Sequence, residues 1–412
     1  MGLIVQKYGG SSLGDPDKIR HVARRVIQTR KAGNDVVVVV SAMYGETDRL
    51  VGLVDDIAPN PDPREYDVVV STGEQVTIGL LALALGELGI PARSFAGWQV
   101  QVKTDDDHAR ARILSIDTER IRAELARGAV VVLPGFQGIG SHGDITTLGR
   151  GGSDTSGVAV AAALQADECE IYTDVKGVFT SDPGVVPDAR MLSSISYEEM
   201  LEMASLGAKV LQIRSVKIAQ RYGIPIHVRS TFIEEEGTRV VPEEEIMERL
   251  VVSGVTYNRD EAKITVQAVP DKPGIAAKLF SPLSSSGVVI DVIVQNVSHE
   301  GFTDMTFTVP RRDVPRALPL VEGIAKELGA RGVAADDRIS KVSVVGLGMK
   351  DHAGVAGRMF QALSDEGINI EMINTSEIKI SVVIEEKYTE LACRTLHDVF
   401  GLAQSEAVEE EH

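Results

Sequence analysis

The chain has 412 residues, a formal net charge of −18, 43% hydrophobic residues and 25% charged residues. This length exceeds what one compact core usually contains, so we expect two or three domains. The negative charge argues against nucleic acid or an anionic membrane as the main partner. The two cysteines, Cys169 and Cys393, lack a metal-binding spacing. They indicate neither a zinc site nor a disulfide framework, as is typical of a cytoplasmic protein.

The apolar run at the N-terminus is interrupted by Gln6 and Lys7, which is unlike a secretion signal. We also expect no apolar run of membrane-spanning length, and therefore no membrane segment.

The chain opens with a short apolar strand that runs into a glycine turn at residues 7–12, Lys-Tyr-Gly-Gly-Ser-Ser. A helical pattern follows from Pro16, with Asp15 as its cap. A glycine turn that leads to a helix start presents backbone N–H groups to an anion, and Lys7 adds a positive charge. The spacing matches neither a Walker motif nor G-x-G-x-x-G. On these residues alone, the alternative is that Lys7 is a solvated lysine at a strand end, as most lysines are.

The first half of the chain alternates predicted strands and helices. Short β-branched runs predict strands buried on both faces, at residues 36–40, 68–70, 130–133, 170–174 and 225–228. Helical patterns occupy residues 75–88, 118–127, 154–164 and 197–222. This alternation predicts an α/β fold, an αβα sandwich with a mostly parallel sheet. Ligands bind at the carboxyl ends of such strands, so Lys7, Ser41, Glu74 and Asp174 are expected to share one edge.

A second glycine turn occupies residues 149–155, Gly-Arg-Gly-Gly-Ser-Asp-Thr. Its glycines allow the backbone to approach a ligand closely, and Ser153, Asp154 and Thr155 are suitable helix caps. The planar guanidinium of Arg150 can donate two parallel hydrogen bonds to a carboxylate or a phosphate. An ordinary strand-to-helix turn remains an equal alternative for this stretch alone. Together with Lys7, however, the two turns indicate a site for a polyanion.

The second half contains a repeat. An acidic segment at residues 234–245 indicates a domain boundary. Beyond it, residues 271–293 match residues 351–373 at an offset of 80, with shared Asp, Gly, Ala, Phe, Leu, Ser and Ile positions. Each repeat predicts a ferredoxin-like βαββαβ unit. The repeat is either a duplicated dimerisation domain or a pair of small-ligand sensors. The helix start in each copy can bind an anion through its backbone N–H groups, which favours sensors.

These motifs resemble those of the aspartate kinases, members of the amino acid kinase superfamily that carry two C-terminal ACT domains. The matching segments, in chain order, are residues 7–12, 41–43, 71–74, 149–154, 173–175 and 207–211. The resemblance implies a kinase domain at 1–245, a first ACT domain at 263–338 and a second at 339–405, which strand 250–257 joins. It also implies MgATP-dependent phosphorylation of the aspartate side chain. The acyl phosphate opens the synthesis of lysine, threonine and methionine.

The resemblance also implies roles for individual residues. In the transfer, Lys7 and Gly10 act on the phosphoryl group, and Asp154 holds Lys7 or the substrate amine. The substrate is bound by Ser41 and Thr47 at the reacting carboxylate, by Glu74 at the ammonium, by Arg150 at the α-carboxylate, and by Ser153. The nucleotide set is Lys7, Gly9, Gly10, Ser11, Thr173, Asp174, Phe179, Asp182 and Lys209. We expect no protein metal site, because the nucleotide phosphates hold Mg²⁺. Phe179 and Gly184 depart from the Tyr and Arg that are common in the family.

For the repeats, the resemblance implies feedback inhibition by threonine, lysine or both. The effector set is Asp271, Gly274, Ala276, Gln295, Asn296, Asn369, Ile370, Ser376 and Glu377. It further implies a homo-oligomer formed through the ACT domains, and Met247 is a possible start of a separate regulatory subunit. Two alternatives remain: a kinase for glutamate, N-acetylglutamate or UMP, and a non-catalytic amino-acid sensor. The paired repeats disfavour the other kinases, and retention of Lys7 with the complete second turn argues against the sensor.

Overall fold

The computed structural model describes residues 2–207, 210–246, 251–295, 301–350, 352 and 354–404. Lys209, Met247 and Asn296 lie outside these described residues. The chain divides into two compact units. The first unit comprises Met1–Phe179 with Met191–Glu248, and the second comprises Thr180–Arg190 with Arg249–His412.

The first unit is a layered α/β structure. Its strands are β1 (Leu3–Tyr8), β2 (Asp35–Val40), β3 (Ala92–Ser94), β4 (Val102–Thr104), β5 (Ile113–Ile116), β6 (Val130–Pro134), β7 (Gln137–Ile139), β8 (Ile145–Thr147), β9 (Glu168–Thr173), β10 (Ser194–Ser196), β11 (Ile226–Ser230) and β12 (Thr238–Val241). Its helices are α1 (Pro16–Lys31), α2 (Glu46–Ile57), α3 (Pro63–Val70), α4 (Thr72–Glu87), α5 (Glu119–Ala126), α6 (Gly152–Leu164), α7 (Tyr197–Ser205) and α8 (Ile213–Tyr222).

Within the described residues, the large sheet has eight strands in the order β10-β12-β11-β9-β1-β2-β6-β3. Every pairing in it is parallel except that of β11 with β12. Successive side chains of β1 point to opposite faces: Gln6 bonds to Thr29 of α1, whereas Lys7 lies against Gly157 of α6. Helices therefore cover both faces, and the predicted αβα sandwich with a mostly parallel sheet is confirmed. A smaller sheet has the order β5-β4-β7-β8.

The strand prediction at residues 68–70 is wrong, because these residues end α3. Asp62 accepts a hydrogen bond from the backbone N–H of Arg64, and Pro63 occupies the first helical turn. Both features start a helix and override the strand preference of three valines. Glu74 consequently lies in the first turn of α4 instead of following a strand.

By length and composition alone, the stretch Pro63–Glu87 could cross a membrane, contrary to our expectation. However, 44% of its most apolar 18 residues is buried inside the protein. The stretch is divided at Ser71 into α3 and α4. Ile78, Leu81 and Leu85 of α4 pack in the core with α1 and β2. This packing is that of a core helix in the first unit.

Two other predicted helices differ in their bounds. The single helix expected at 197–222 is two helices, α7 and α8, and Gly207 after α7 adopts a φ of 121°, which a helix cannot continue. Helix α6 begins at Gly152 with Gly151 as its cap, so Ser153 and Asp154 lie in its first turn.

The second unit contains two antiparallel sheets. Its strands are β13 (Gly254–Asn258), β14 (Glu261–Pro270), β15 (Ile293–Gln295), β16 (Phe302–Pro310), β17 (Gly332–Asp336), β18 (Ile339–Val345), β19 (Met372–Thr375) and β20 (Lys379–Glu385). Its helices are α9 (Ile275–Ser285), α10 (Val314–Leu328), α11 (Val355–Asp365) and α12 (Thr389–Val399). Within the described residues the strand orders are β15-β16-β14-β17 and β13-β18-β20-β19.

Strand β13 precedes the first of these sheets in the chain but belongs to the second, where it pairs with β18. Between α9 and β16, the described residues contain one short strand, β15, which spans Ile293–Gln295. The segment Thr180–Arg190 belongs to this unit, and its Val185 and Val186 pack in the core of the second sheet.

Candidate active site

Lys7 and Asp154 form an ion pair near the carboxyl end of β1. Lys7 Nζ lies 2.5 Å from Asp154 Oδ1, and their side chains are only 10% and 13% exposed. A Cβ atom on Gly157, one turn along α6, would lie 3.0 Å from the Cβ of Lys7. The absence of a side chain at Gly157 thus allows the stem of Lys7 to lie against α6 and reach Asp154.

The N-terminal glycine turn lies against the carboxyl ends of β2 and β9. The N–H of Gly9 donates to the carbonyl of Tyr172, and a Cβ on Gly10 would lie 3.0 Å from the carbonyl oxygen of Ala42. Ser41 is anchored by its N–H, which donates to the carbonyl of Tyr8. Gly9, Gly10 and Ser41 therefore lie at the same sheet edge.

Glu74 is 2% exposed and carries an incompletely satisfied carboxylate. Its Oε1 accepts a hydrogen bond of 3.1 Å from the N–H of Ala42, whereas its buried Oε2 has no hydrogen-bond partner in the described structure. Burial raises the pKa of Glu74 from 4.5 to about 7, although hydrogen bonds from backbone N–H groups oppose the rise. A buried anion with a free oxygen is suited to receive a cation such as an ammonium group.

Arg150 lies in the tight turn between β8 and α6. Gly149 and Gly151 on either side have φ values of 75° and 69°, which favour glycine. A Cβ on Gly151 would also lie 1.8 Å from Cγ of Gln212. Arg150 itself is exposed and makes neither a hydrogen bond nor an ion pair with any described residue. Its guanidinium is therefore available to an anionic ligand.

Hydrogen bonds join the start of α4 to the start of α6. Gln137 Nε2 donates to the carbonyl of Ser71, and the N–H of Phe136 donates to Ser156 Oγ. Ser153 is half-buried beside Gly135. The segment 136–137 therefore links Ser71, shortly before Glu74, to Ser156, shortly after Arg150.

The other predicted substrate and nucleotide residues are more dispersed. Thr47 is half-buried in the first turn of α2, and Ser11 follows the glycine turn. Thr173 ends β9 and its hydroxyl donates to Asp174. The half-buried Phe179 forms a β-bridge with Met191.

Asp182 belongs to the second unit. Its Oδ2 accepts from the Tyr257 hydroxyl at 2.9 Å and its Oδ1 from the N–H of Gly184 at 2.8 Å. This carboxylate is thus engaged within the second unit.

The predicted effector residues lie at exposed positions in the second unit. Asp271, Gly274 and Ala276 are exposed at the start of α9, where Gly274 is the cap. Gln295 is exposed on β15, an edge strand. In the second repeat, Asn369, Ser376 and Glu377 are exposed, and Ile370 is half-buried.

A further cluster, formed by Glu168, Glu170 and His227, could hold a metal ion by the distances among its ligand atoms. Arg239 pairs with Glu168 and Arg229 pairs with Glu170. These cations already balance both carboxylates, so we assign no metal to the cluster.

Sequence reasoning missed three residues that shape this site: Asp67, Gly157 and Arg214. Asp67 directly precedes the valine run at residues 68–70 and follows Arg64 and Glu65, so nothing in the local sequence marks it as a buried acid. Arg214 donates to the carbonyls of Leu148 and Ala111, and no sequence pattern indicates those contacts.

Comparison with known proteins identifies the family of each part of the chain. Residues 2–230 match the amino acid kinase family, and residues 264–325 and 342–400 each match an ACT domain. The chain is 58% identical to an aspartate kinase of Pseudomonas putida over 403 residues, which are 98% of both chains.

Two solved structures of E. coli aspartokinase III are similar to this chain, and each alignment covers 96% of this chain and 99% of the other. The complex with aspartate and ADP has a TM-score of 0.78 at 26% identity. The complex with lysine and aspartate has a TM-score of 0.76 at 25% identity. The chain therefore belongs to the aspartate kinases of the amino acid kinase family and carries two ACT domains.

Proposed function

We propose that the first unit transfers the γ-phosphoryl group of ATP to the side-chain carboxylate of L-aspartate, at the edge formed by Lys7, Glu74, Arg150 and Asp154. The observation that carries this proposal is the presence of two uncompensated groups, the buried Oε2 of Glu74 and the exposed guanidinium of Arg150. A free α-amino acid presents the two complementary charges, an ammonium and a carboxylate. The relatives support aspartate as that amino acid.

The reacting group needs no general base, because the side-chain carboxylate of aspartate is already ionised at neutral pH. One of its oxygens forms a bond to the γ-phosphorus while the bond to the β,γ-bridging oxygen breaks, which yields 4-phospho-L-aspartate and ADP. Catalysis then depends on alignment and on neutralising the charge of the transferred group. Lys7 supplies that positive charge, Gly10 allows close approach, and Asp154 holds Lys7 in place.

Ser41 and Thr47 orient the reacting carboxylate, and Ser153 supports substrate binding at the start of α6. The nucleotide is bound by Lys7, by Gly9, Gly10 and Ser11, and by Thr173, Asp174 and Phe179 of the first unit. For Asp182, which belongs to the second unit, and for Lys209, the nucleotide role stays an expectation from the sequence. Asp154 is already paired with Lys7 and Glu74 is buried, which fits a Mg²⁺ ion carried by the nucleotide phosphates. When bound there, Mg²⁺ neutralises charge on the phosphates.

The second unit serves feedback regulation by threonine, lysine or both. An effector zwitterion needs acceptors and donors, which the exposed Asp271 and the start of α9 offer. The E. coli structure with lysine and aspartate, described as a T-state, supports lysine.

We propose that residues 1–245 form the kinase domain, residues 263–338 the first ACT domain and residues 339–405 the second. We also propose a homo-oligomer formed through the ACT domains. Cys169 and Cys393 are buried free thiols, in keeping with the cytoplasmic location that we propose.

A coupled assay for ADP release tests the substrate assignment. L-Aspartate is compared with succinate, which lacks the ammonium, and with β-alanine, which lacks the α-carboxylate. We expect kcat/KM to fall about 30-fold or more for each, since each leaves one charged protein group unpaired. Faster ADP release with L-glutamate or UMP than with L-aspartate would overturn the assignment.

A further inference from the structure

Asp67 is fully buried on α3, and its carboxylate joins three segments of the chain. It accepts hydrogen bonds from His108 Nδ1 at 2.7 Å, from the N–H of Ala109 at 3.1 Å, and from the N–H and hydroxyl of Thr147 at 3.1 and 2.5 Å. A buried carboxylate is tolerated only with such partners. Asp67 therefore fixes the relative positions of α3, the loop at 108–111 and the end of β8.

This fixed region lies directly behind the turn that carries Arg150. Thr147 is the last residue of β8, three residues before Arg150, and its carbonyl accepts from the N–H of Ala111. The carbonyl oxygen of Ala109 lies 3.0 Å from the position that a Cβ on Gly149 would occupy. Ala109 has a φ of 64°, which is uncommon for a residue with a Cβ, and its N–H points to Asp67. The loop conformation thus depends on the carboxylate.

A second anchor holds the same turn from α8. Arg214 donates to the carbonyl of Leu148 at 2.6 Å and to that of Ala111 at 2.8 Å. The side chain of Arg150, in contrast, is exposed and has no partner in the described structure. Its position is therefore set by the backbone of its turn, and through that backbone by Asp67.

We propose that Asp67 is a positioning residue for the subsite that binds the α-carboxylate of the amino-acid substrate, acting through Thr147 and Ala109 on Arg150. This inference rests on the proposed role of Arg150. The residues proposed to bind the nucleotide lie outside the segments that Asp67 joins. Asp67 should therefore influence binding of the amino acid and leave binding of ATP unaffected.

The test is a double-mutant cycle of Asp67→Asn and Arg150→Ala, with KM measured for both substrates. Asparagine has the same shape, but its amide nitrogen cannot accept from Thr147 or Ala109. Asp67→Asn should raise the aspartate KM about tenfold and change the ATP KM less than about twofold. In the Arg150→Ala background, Asp67→Asn should raise the aspartate KM by less than about twofold, because the guanidinium that Asp67 positions is absent.

Glu199→Gln is the matched control, because Glu199 is another buried carboxylate of the first unit and accepts from the N–H and hydroxyl of Ser196. This variant should leave the aspartate KM unchanged. If Asp67→Asn does not fold, Thr147→Val removes one of the hydrogen bonds and should raise the aspartate KM about threefold.

An unchanged aspartate KM in the folded Asp67→Asn variant, or in Thr147→Val if that variant has to replace it, would overturn the inference. Equal rises in the KM of aspartate and ATP, or multiplicative effects in the double variant, would overturn it as well. A normal aspartate KM in Arg150→Ala alone would overturn the proposed role of Arg150, and this inference with it.

Discussion

The ammonium group of Lys7 and the carboxylate of Asp154 lie 2.5 Å apart where β1 meets α6. Because both side chains are largely buried, water screens this pair weakly, and each charge restricts the position of the other. Asp154 therefore keeps Lys7 in place at the carboxyl end of β1.

Lys7→Ala should mainly lower kcat, because the lysine charge matters most while the phosphoryl group is being transferred. We expect kcat to fall about 30- to 1,000-fold, equivalent to about 2–4 kcal/mol, with a smaller change in the aspartate KM. Steady-state kinetics on this variant and on Lys31→Ala, an exposed lysine at the end of α1, check the prediction. Near-normal turnover in Lys7→Ala would remove Lys7 from the transfer step.

Gly157→Ala should lower activity while Gly79→Ala should not, although both glycines lie inside helices. The new Cβ at 157 would lie 3.0 Å from the Cβ of Lys7, whereas nothing lies within 4 Å at 79. We expect kcat to fall about tenfold in Gly157→Ala, because Lys7 is displaced. Gly79→Ala should keep its kcat and gain about 0.5–1 kcal/mol in the free energy of unfolding. Equal kcat values in the two variants would contradict the proposed contact.

Glu74→Gln should stabilise the protein at pH 8 and have little effect on stability near pH 4.5. Burial raises the pKa of Glu74 from 4.5 to about 7, so the folded state holds the proton more tightly than the unfolded chain. The free energy of unfolding therefore falls as pH rises through this range, and at pH 8 the ionised Glu74 costs up to about 3 kcal/mol. Glutamine resembles the protonated acid and removes this cost. Urea unfolding at both pH values should show the difference, and an effect independent of pH would contradict it.

Asp271→Ala should relieve feedback inhibition and leave the uninhibited activity nearly intact. Asp271 is exposed in the second unit, where we propose that it receives the ammonium of the effector. A useful coupling between effector and substrate sites is about 1–3 kcal/mol, so the inhibition curve should shift about 5- to 150-fold. Titration of threonine and lysine, singly and together, into wild type and variant measures the shift. Identical curves would exclude Asp271 from the effector site.

Much of the sheet could be predicted because its signals are local. The valine run of β2 is buried on both faces, and such a run is typical of a central parallel strand. The valines at 68–70 carry the same preference but lie in α3, where Asp62 and Pro63 start a helix. Local propensity alone could not decide between the strand preference of these valines and the helix start before them. The helix buries Asp67 and Val70 on one face, and that burial depends on the rest of the fold.

The site residues were predictable where a motif carries them, as for Lys7 and Arg150 in the glycine turns. Residues that act through other parts of the chain left no such pattern. Asp67 contacts residues 41 to 80 positions away, and Arg214 contacts residues 66 and 103 positions away. Such contacts exist only in the folded chain, so a single sequence does not indicate them.

Arg150→Ala is the most direct test of the central claim that this edge binds a free amino acid. With the α-carboxylate unpaired, the aspartate KM should rise about 30-fold or more while the ATP KM changes less than about twofold. Arg150→Lys keeps the charge without the planar fork and should give an intermediate aspartate KM. An aspartate KM at the wild-type value in Arg150→Ala would contradict the account.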